Sequence, residues 1–466
     1  MGTKITALLV FLLGFWSLAA LAPQPAGNAQ VVTRLALTVS ILDRGSLDIT
    51  PYAGWTVDKA TFDGRVFADK TPGHPLLALP AVGLARLFHQ LTGASTDSRN
   101  RSVFEAYEGW ATIGTNVLIS AVAIALVFLV ALELGASRSG ALFAAFCLGW
   151  ATPFMGWSTA FFAHTVTGSF LLFAFAAILR LFPGEDGSTV RWRAWATLLL
   201  GLLLGYTLVV DLTAAPAVAI LGVFALLRAR KGGLELKALP TLALGGIAGL
   251  SPLFIYNALA FGSPLHLGYE NTNFEGMEQG IFGVTWPNPL VLLQLLFGTY
   301  RGLLPLSPIL LFVPAGLLVM AKTRGRLTGP AVVIALIVIV QFWINASYYY
   351  WNGGWSTGPR HLVAMLPLAV LPLAFLTPAR TADRFVLRVL LIVSLALSLA
   401  CALSGMFVPE TILEPFTGWI FPNLVTPTNV MKALLVMPIW VVFAIIIGRA
   451  NRAGQAGFSV ASTAAE

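Results

Sequence analysis

HPLLALPAVGLARLF, residues 74–88, decides how the rest of this chain is read. The segment is apolar and about 15 residues long, short of the roughly 20 that a bilayer-spanning helix needs. Counted as a span, it would invert every later loop and put the basic turns outside the cytoplasm. Read as a helix lying on the membrane surface or re-entering it, it leaves the charge pattern in order.

Outward from that segment, apolar runs of spanning length recur at about 5–22, 110–132, 139–157, 165–182, 195–210, 213–228, 238–259, 303–320, 330–346, 362–377, 387–404 and 432–448. The composition agrees: 57% of the residues are hydrophobic and 10% charged, against roughly 25% charged in a soluble domain. The expected fold class is an all-α polytopic membrane protein of about 12 transmembrane helices, with surface helices in a long first outer loop. Its parts are a first transmembrane helix (1–22), that outer loop (23–109), helices two to seven (110–259), a second outer loop (260–302), helices eight to twelve (303–448) and a tail (449–466). The run Ile5–Leu21 also resembles a secretory signal peptide, with Ala19-Ala20-Leu21-Ala22 as a cleavage-like site. It is longer than a usual apolar core of that kind, and is read as an uncleaved helix.

With the N-terminus inside, the short cytoplasmic turns carry Lys4, Arg138, Arg180, Arg191, Arg193, Arg228, Arg230, Lys231, Lys237, Lys322, Arg324, Arg326, Arg380, Arg384, Arg388, Arg449 and Arg452. This is the positive-inside distribution, and it accounts for most of the net charge of +8 without a nucleic-acid partner. It places both termini in the cytoplasm, and the reading is of a bacterial-type inner membrane protein. Cys147 and Cys401 lie inside apolar runs and do not suggest a disulfide framework. No zinc-ligand spacing, phosphate-binding glycine loop or nucleophile elbow is present.

The five histidines (His74, His89, His164, His266 and His361) all fall on the outer side or at the outer ends of helices, which points to an outward-facing site. In the first outer loop, Gln30 to Leu42 has an apolar stripe at helical spacing (Leu35, Leu37, Val39, Leu42) and is expected to lie along the membrane. After it, carboxylates and cations alternate: Asp43, Arg44, Asp48, Asp58, Lys59, Asp63, Arg65, Asp69, Lys70, then His74. Glycine and proline fix tight turns among them. A carboxylate base beside cations that hold a phosphate is the chemistry such a loop offers; a solvated face with surface ion pairs is the plainer alternative.

Further along, YYYWNGGWSTGPRH (348–361) joins two spans on the outer side. An interfacial aromatic belt explains its Tyr and Trp, but not Gly-Gly beside the lone cation Arg360. Arg360 is read as a phosphate or sugar contact, and Trp355 as a ring on which a sugar stacks. The loop 260–302 offers Tyr269, Glu270, Glu275 and Glu278, with Leu290–Phe297 as a second surface helix and Arg301 at the mouth of the next span, where it meets a carboxylate or a phosphate. His164 and Asp211 stand at the outer ends of spans and are functional candidates by that position.

These features together resemble the GT-C glycosyltransferases: a first span, a surface helix, the turn Gly45-Ser46-Leu47, then DGRVFADKTPGHPLLALP (63–80) in a long outer loop. Lipid A aminoarabinose transferases and the protein O-mannosyltransferases of glycosyltransferase family 39 belong to that group. The resemblance covers residues 5–215 in order and spacing, and more loosely runs to 376; its most specific part is Gly64–Pro80. It implies a polyprenyl-phosphate sugar as donor, a lipid, glycan or protein hydroxyl as acceptor, and action on the extracytoplasmic face. Lys70 then matches the lysine that contacts the lipid phosphate, and Arg34 sits where those relatives carry an early loop arginine. One departure matters. Those relatives begin this loop with an acidic residue just upstream of that arginine, whereas here the position is near Gln30 and no acid precedes Asp43. The expected base is therefore Asp58, with Asp48 and Asp43 as alternatives. Lys70, Arg34, Arg360 and Arg301 are expected to bind the donor phosphate, and His74, Asp69, His164, Tyr269 and Trp355 the substrates. A base and a phosphate clamp on opposite sides of the sugar imply inversion. A divalent metal is compatible with this but not demanded, because the cations supply the same electrostatic help. The competing class is a transporter or flippase of a lipid-linked or anionic substrate, disfavoured by the lack of a clear internal repeat and of mid-helix charges.

Overall fold

The computed structural model describes residues 2–24, 27–182, 193–323, 325–377 and 380–463, without the side chains of 235 and 451–463. Arg191, Arg324 and the side chain of Arg452, grouped above with the cytoplasmic cations, lie outside them.

Among the described residues eight helices are long and apolar enough to cross a membrane: Thr3–Leu21, Arg101–Glu133, Ala163–Leu181, Leu212–Lys231, Leu236–Phe261, Thr328–Ser347, Thr381–Ser404 and Pro427–Ala450. Ala194–Val210, Pro308–Lys322 and Arg360–Phe375 are shorter apolar helices. The chain is a multi-pass membrane protein. The run expected at 139–157 is split into Arg138–Trp150 and Phe154–Trp157, with Pro153 at the break, where its ring and missing N–H stop a continuous helix. Pro367 and Pro372 likewise turn much of Arg360–Phe375 into 3₁₀ geometry. The helix Arg101–Glu133 starts inside the stretch read as loop, and a π-turn at Ile113–Val117 interrupts it.

Close approach of backbones orders the bundle next to the site. Gly201 and Gly205 of Ala194–Val210 face Gly245 and Gly249 of Glu235–Phe261, each so near the partner's carbonyls that a Cβ would collide. This is the small-residue interface by which helices associate in lipid, where water-driven burial gives no help.

Two helices, Ala29–Arg44 and Gly73–Thr92, lie between the first two long apolar helices. Asn28 caps the first by accepting from the Gln30 N–H (2.9 Å), and Gly45 ends it at φ 60°. Residues 31–40 are buried all round, because Ala29–Arg44 packs between Gly73–Thr92 and the segments that follow it. Protein encloses its apolar stripe at Leu35, Leu37 and Val39. Gly73–Thr92 does keep an outward apolar stripe of Leu84, Leu87, Phe88 and Leu91. Between the two lie a 3₁₀ turn (Thr50–Trp55) and an antiparallel hairpin, Ala60–Phe62 with Arg65–Phe67. Asp63 and Gly64 take φ 49° and 70° at its tip, the positive values a two-residue hairpin turn requires. That hairpin is the one small addition to a helical fold among the described residues.

Candidate functional site

Residues 68–73 connect the hairpin to the helix Gly73–Thr92 and are fastened at three points to neighbouring helices. The Tyr256 hydroxyl donates to the Ala68 carbonyl (2.8 Å), Thr71 Oγ1 to the Val210 carbonyl (3.1 Å) and the Tyr206 hydroxyl to the Gly73 carbonyl (3.0 Å). Gly73 lies so close to Val209 and Val210 that no side chain fits there. Asp69 and Lys70 are therefore held rigidly. Lys70 Nζ pairs with Asp69 Oδ2 at 2.5 Å and stands 5.4 Å from the Tyr269 ring centre and 5.8 Å from that of Phe274. Burial works against the ammonium, but the Asp69 carboxylate and then that of Asp58 outweigh it and raise the Lys70 pKa, so the amine stays charged.

A second group gathers around Phe162, just before the helix Ala163–Leu181. The guanidinium of Arg34 lies 5.5 Å from the centre of that ring and the guanidinium of Arg360 5.3 Å from it. The His164 ring is 6.1 Å away. His164 Nδ1 meets Asp211 Oδ2 at 3.0 Å, and the His361 ring stands edge-on to His164 at 5.3 Å. Thr213 donates to Asp211 Oδ1 from its N–H (3.0 Å) and its hydroxyl (2.7 Å). Arg34 Nε, Arg360 Nε, His164 Nε2 and His361 Nε2 are all buried without a partner among the described residues. Buried nitrogens of that kind are rare unless something binds them. Polar nitrogens converging without a carboxylate to pair with Arg34 or Arg360 make an anion site.

Asp58 lies between the two groups. It is nearly buried, follows the 3₁₀ turn, and is fixed through its backbone by Thr56, whose hydroxyl accepts from the Asp58 N–H at 3.0 Å. Its carboxylate accepts no hydrogen bond among the described residues, yet it is the strongest carboxylate neighbour of Arg360 and the second of Lys70. A carboxylate so placed is available to take a proton.

The other expected site residues distribute unevenly. His74 packs on Phe161 (4.2 Å between ring centres), and its Nε2 bonds Asn116 Oδ1 at 2.9 Å. Burial first, then the Arg34 charge, lowers its pKa to about 3, which keeps the imidazole neutral. Tyr269 borders Lys70; burial pushes its hydroxyl up to about 12. Asp43 and Asp48 are not part of this cluster. Asp43 pairs with Arg86 (2.8 Å) and accepts from Ser98, on the wall of a separate polar cavity of about 500 Å³. Asp48 closes its own turn by accepting from the Thr50 N–H at 2.8 Å. Arg301 is buried, but its nitrogens donate to the carbonyls of Asn352 (3.0 Å), Tyr300 (3.1 Å) and Gly354 (2.9 Å). Three of its five N–H donors thus fasten the 350–354 loop. Trp355 is half exposed.

Sequence reasoning missed the central ring, Phe162, and the lone amide Asn116, which donates to the Phe162 carbonyl at 2.6 Å. An amide inside an apolar run was a usable signal for Asn116; nothing marked Phe162. The Gln30 side-chain oxygen accepts from Arg34 Nη1 at 2.9 Å. Among the described residues no three His, Cys, Asp or Glu side chains are grouped so as to hold a metal ion.

No family model matches the chain, and no curated protein matches it. Two solved structures do. ArnT from Cupriavidus metallidurans bound to undecaprenyl phosphate aligns with a TM-score of 0.55 and 16% identity, covering 96% of this chain and 75% of that one. ArnT in the apo state aligns with a TM-score of 0.54 at the same identity and coverage. The likeness establishes the architecture: this is a GT-C fold.

Proposed function

We propose, from that shared fold and the anion site within it, that this protein is a membrane glycosyltransferase that moves a sugar from a polyprenyl-phosphate donor to an acceptor hydroxyl. The observation that carries the reading is the pair Arg34 and Arg360, converging on Phe162 with buried unpartnered nitrogens while a free carboxylate, Asp58, stands beside them. In this reaction Asp58 takes the proton of the acceptor hydroxyl as its oxygen attacks the anomeric carbon. The bond from that carbon to the phosphate oxygen breaks, and its electron pair leaves with the phosphate. Arg34, Arg360 and Lys70 balance the charge that grows there, already oriented and shielded from water. Attack opposite the leaving phosphate inverts the anomeric centre. The polyprenyl chain lies among the apolar helices.

The reading places the site on the extracytoplasmic face of a bacterial-type inner membrane, with both termini in the cytoplasm, on the strength of the basic turns. It keeps 23–109 and 260–302 as the outer loops that carry the chemistry. A lipid, glycan or protein hydroxyl serves as acceptor.

Binding of undecaprenyl phosphate to the purified protein tests this first. The wild type is expected to bind it, and Arg360→Ala and Arg34→Ala to bind it about 10–100-fold more weakly, the loss of one charge-assisted contact each. A wild type with no affinity for the lipid phosphate would overturn the transferase reading.

A further inference from the structure

We infer that His164, positioned by Asp211, is the acid that delivers a proton to the departing phosphate. This rests on the transferase reading and assigns a role that the reading leaves open: where the charge of the leaving group is finally neutralised.

The argument starts from the 3.0 Å contact between His164 Nδ1 and Asp211 Oδ2. Burial alone would raise the Asp211 pKa, but the hydrogen bonds from His164 and Thr213 hold it well below the usual carboxylate range. Asp211 is thus an acceptor, Nδ1 carries the hydrogen, and Nε2 is left as the titrating atom of the ring. That atom is buried and has no partner among the described residues, in a residue only 5% exposed. Arg34 Nε and Arg360 Nε are in the same condition around the same Phe162 ring. Three unpartnered nitrogens on three different elements thus gather at one ring, as a tetrahedral anion requires.

The chemistry explains why one of the three is an imidazole. A sugar phosphodiester carries one negative charge, and the monoester left behind carries close to two, with a second pKa of about 6. An imidazole can both hold and give up a proton at such an oxygen, whereas a guanidinium never releases its proton. As the anomeric carbon–oxygen bond breaks and its electron pair moves to the phosphate oxygen, the proton on His164 Nε2 passes to that oxygen. His164 is left neutral and Asp58 holds the proton from the acceptor, so one proton returned through solvent resets the site. The charged and titratable groups facing His164 are Asp211, His361, Arg360, Arg34 and His74. Of these, only Asp211 favours a charged imidazole, which is why its loss matters.

The experiment uses undecaprenyl phosphate and the full-length protein in lipid nanodiscs. Binding heats at pH 7.5 in buffers of different ionisation enthalpy report the protons taken up with the ligand. The wild type is expected to take up about one proton, His164→Gln almost none, and Asp211→Asn less than half of the wild-type value while still binding. Equal uptake in wild type and His164→Gln, or wild-type binding with no uptake, would overturn the assignment of His164 and leave the transferase reading standing. Absence of wild-type binding would instead overturn the transferase reading and this inference with it.

Discussion

Arg34 and Arg360, far apart in the chain, hold their guanidinium groups 5.5 and 5.3 Å from the centre of one ring, that of Phe162. Two buried cations this close repel one another, and among the described residues neither has a carboxylate within ion-pair distance. An anion bound between them would relieve that repulsion. The Arg34→Ala, Arg360→Ala double variant should therefore unfold at a higher temperature than the wild type when no lipid phosphate is present. Undecaprenyl phosphate should raise the melting temperature of the wild type and leave that of the double variant unmoved. Thermal unfolding with and without the lipid checks both statements.

Asp58→Asn should bind undecaprenyl phosphate within about threefold of the wild type, because the amide keeps the shape and removes only the base. Transfer from a polyprenyl-phosphate sugar should fall by roughly 100-fold or more. Parallel binding and turnover measurements separate the two effects, and a variant with normal turnover would remove Asp58 from the mechanism.

Lys70 is a poorer target for a single substitution than its position in the sequence suggests. Its partner Asp69 is buried, with Oδ1 unpartnered, so Lys70→Ala leaves an uncompensated carboxylate at a cost of about 3–5 kcal/mol. In that variant the folded-state pKa of Asp69 lies above its unfolded value, so stability should rise as pH falls and the carboxyl takes a proton. The double change Lys70→Met, Asp69→Asn should recover most of the lost stability at pH 7 and still lack transfer. Unfolding midpoints at pH 5 and 7 for both variants test this.

Gly353 adopts φ 72°, and a Cβ there would run into the Arg360 side chain. Gly353→Ala should cost about 1–2 kcal/mol from the left-handed backbone alone. It should also weaken lipid-phosphate binding by displacing Arg360. If affinity is unchanged while stability drops, Arg360 does not contact the phosphate.

His74 has a folded-state pKa of about 3 against an ordinary 6.5, lowered by burial and then by Arg34. Between those values the unfolded chain binds the extra proton, so stability should fall as pH drops from 6.5 towards 3, by up to about 1.4 kcal/mol per pH unit. His74→Gln keeps a donor for Asn116 and should flatten that slope. Melting temperatures from pH 7 to 4.5 decide it.

The sequence by itself determined that this chain crosses a membrane many times, because apolar length and the placement of Lys and Arg are local properties that need no knowledge of packing. It also marked residues 74–88 as helical and, from the basic turns, as distinct from the spans; the helix there is Gly73–Thr92, which is not among those apolar enough to cross a membrane. It marked Arg34, Asp58, Lys70, His164 and Arg360 as candidates, because cations, carboxylates and imidazoles beside lipid are conspicuous by type. Tertiary structure decided which of the candidates meet. The sequence preferred Asp58 and kept Asp48 and Asp43 as alternatives; only the fold gives Asp43 to Arg86, closes Asp48 on its own turn and leaves Asp58 open. Arg301 and Arg360 both stand at helix mouths, and the fold supplies three carbonyls to one and no hydrogen-bond partner among the described residues to the other. The burial of Ala29–Arg44, the ring of Phe162 and the His164–Asp211 contact depend on elements far apart in the chain. Whether a polar side chain is paired or free is fixed by its neighbours in space, and a linear pattern does not contain them.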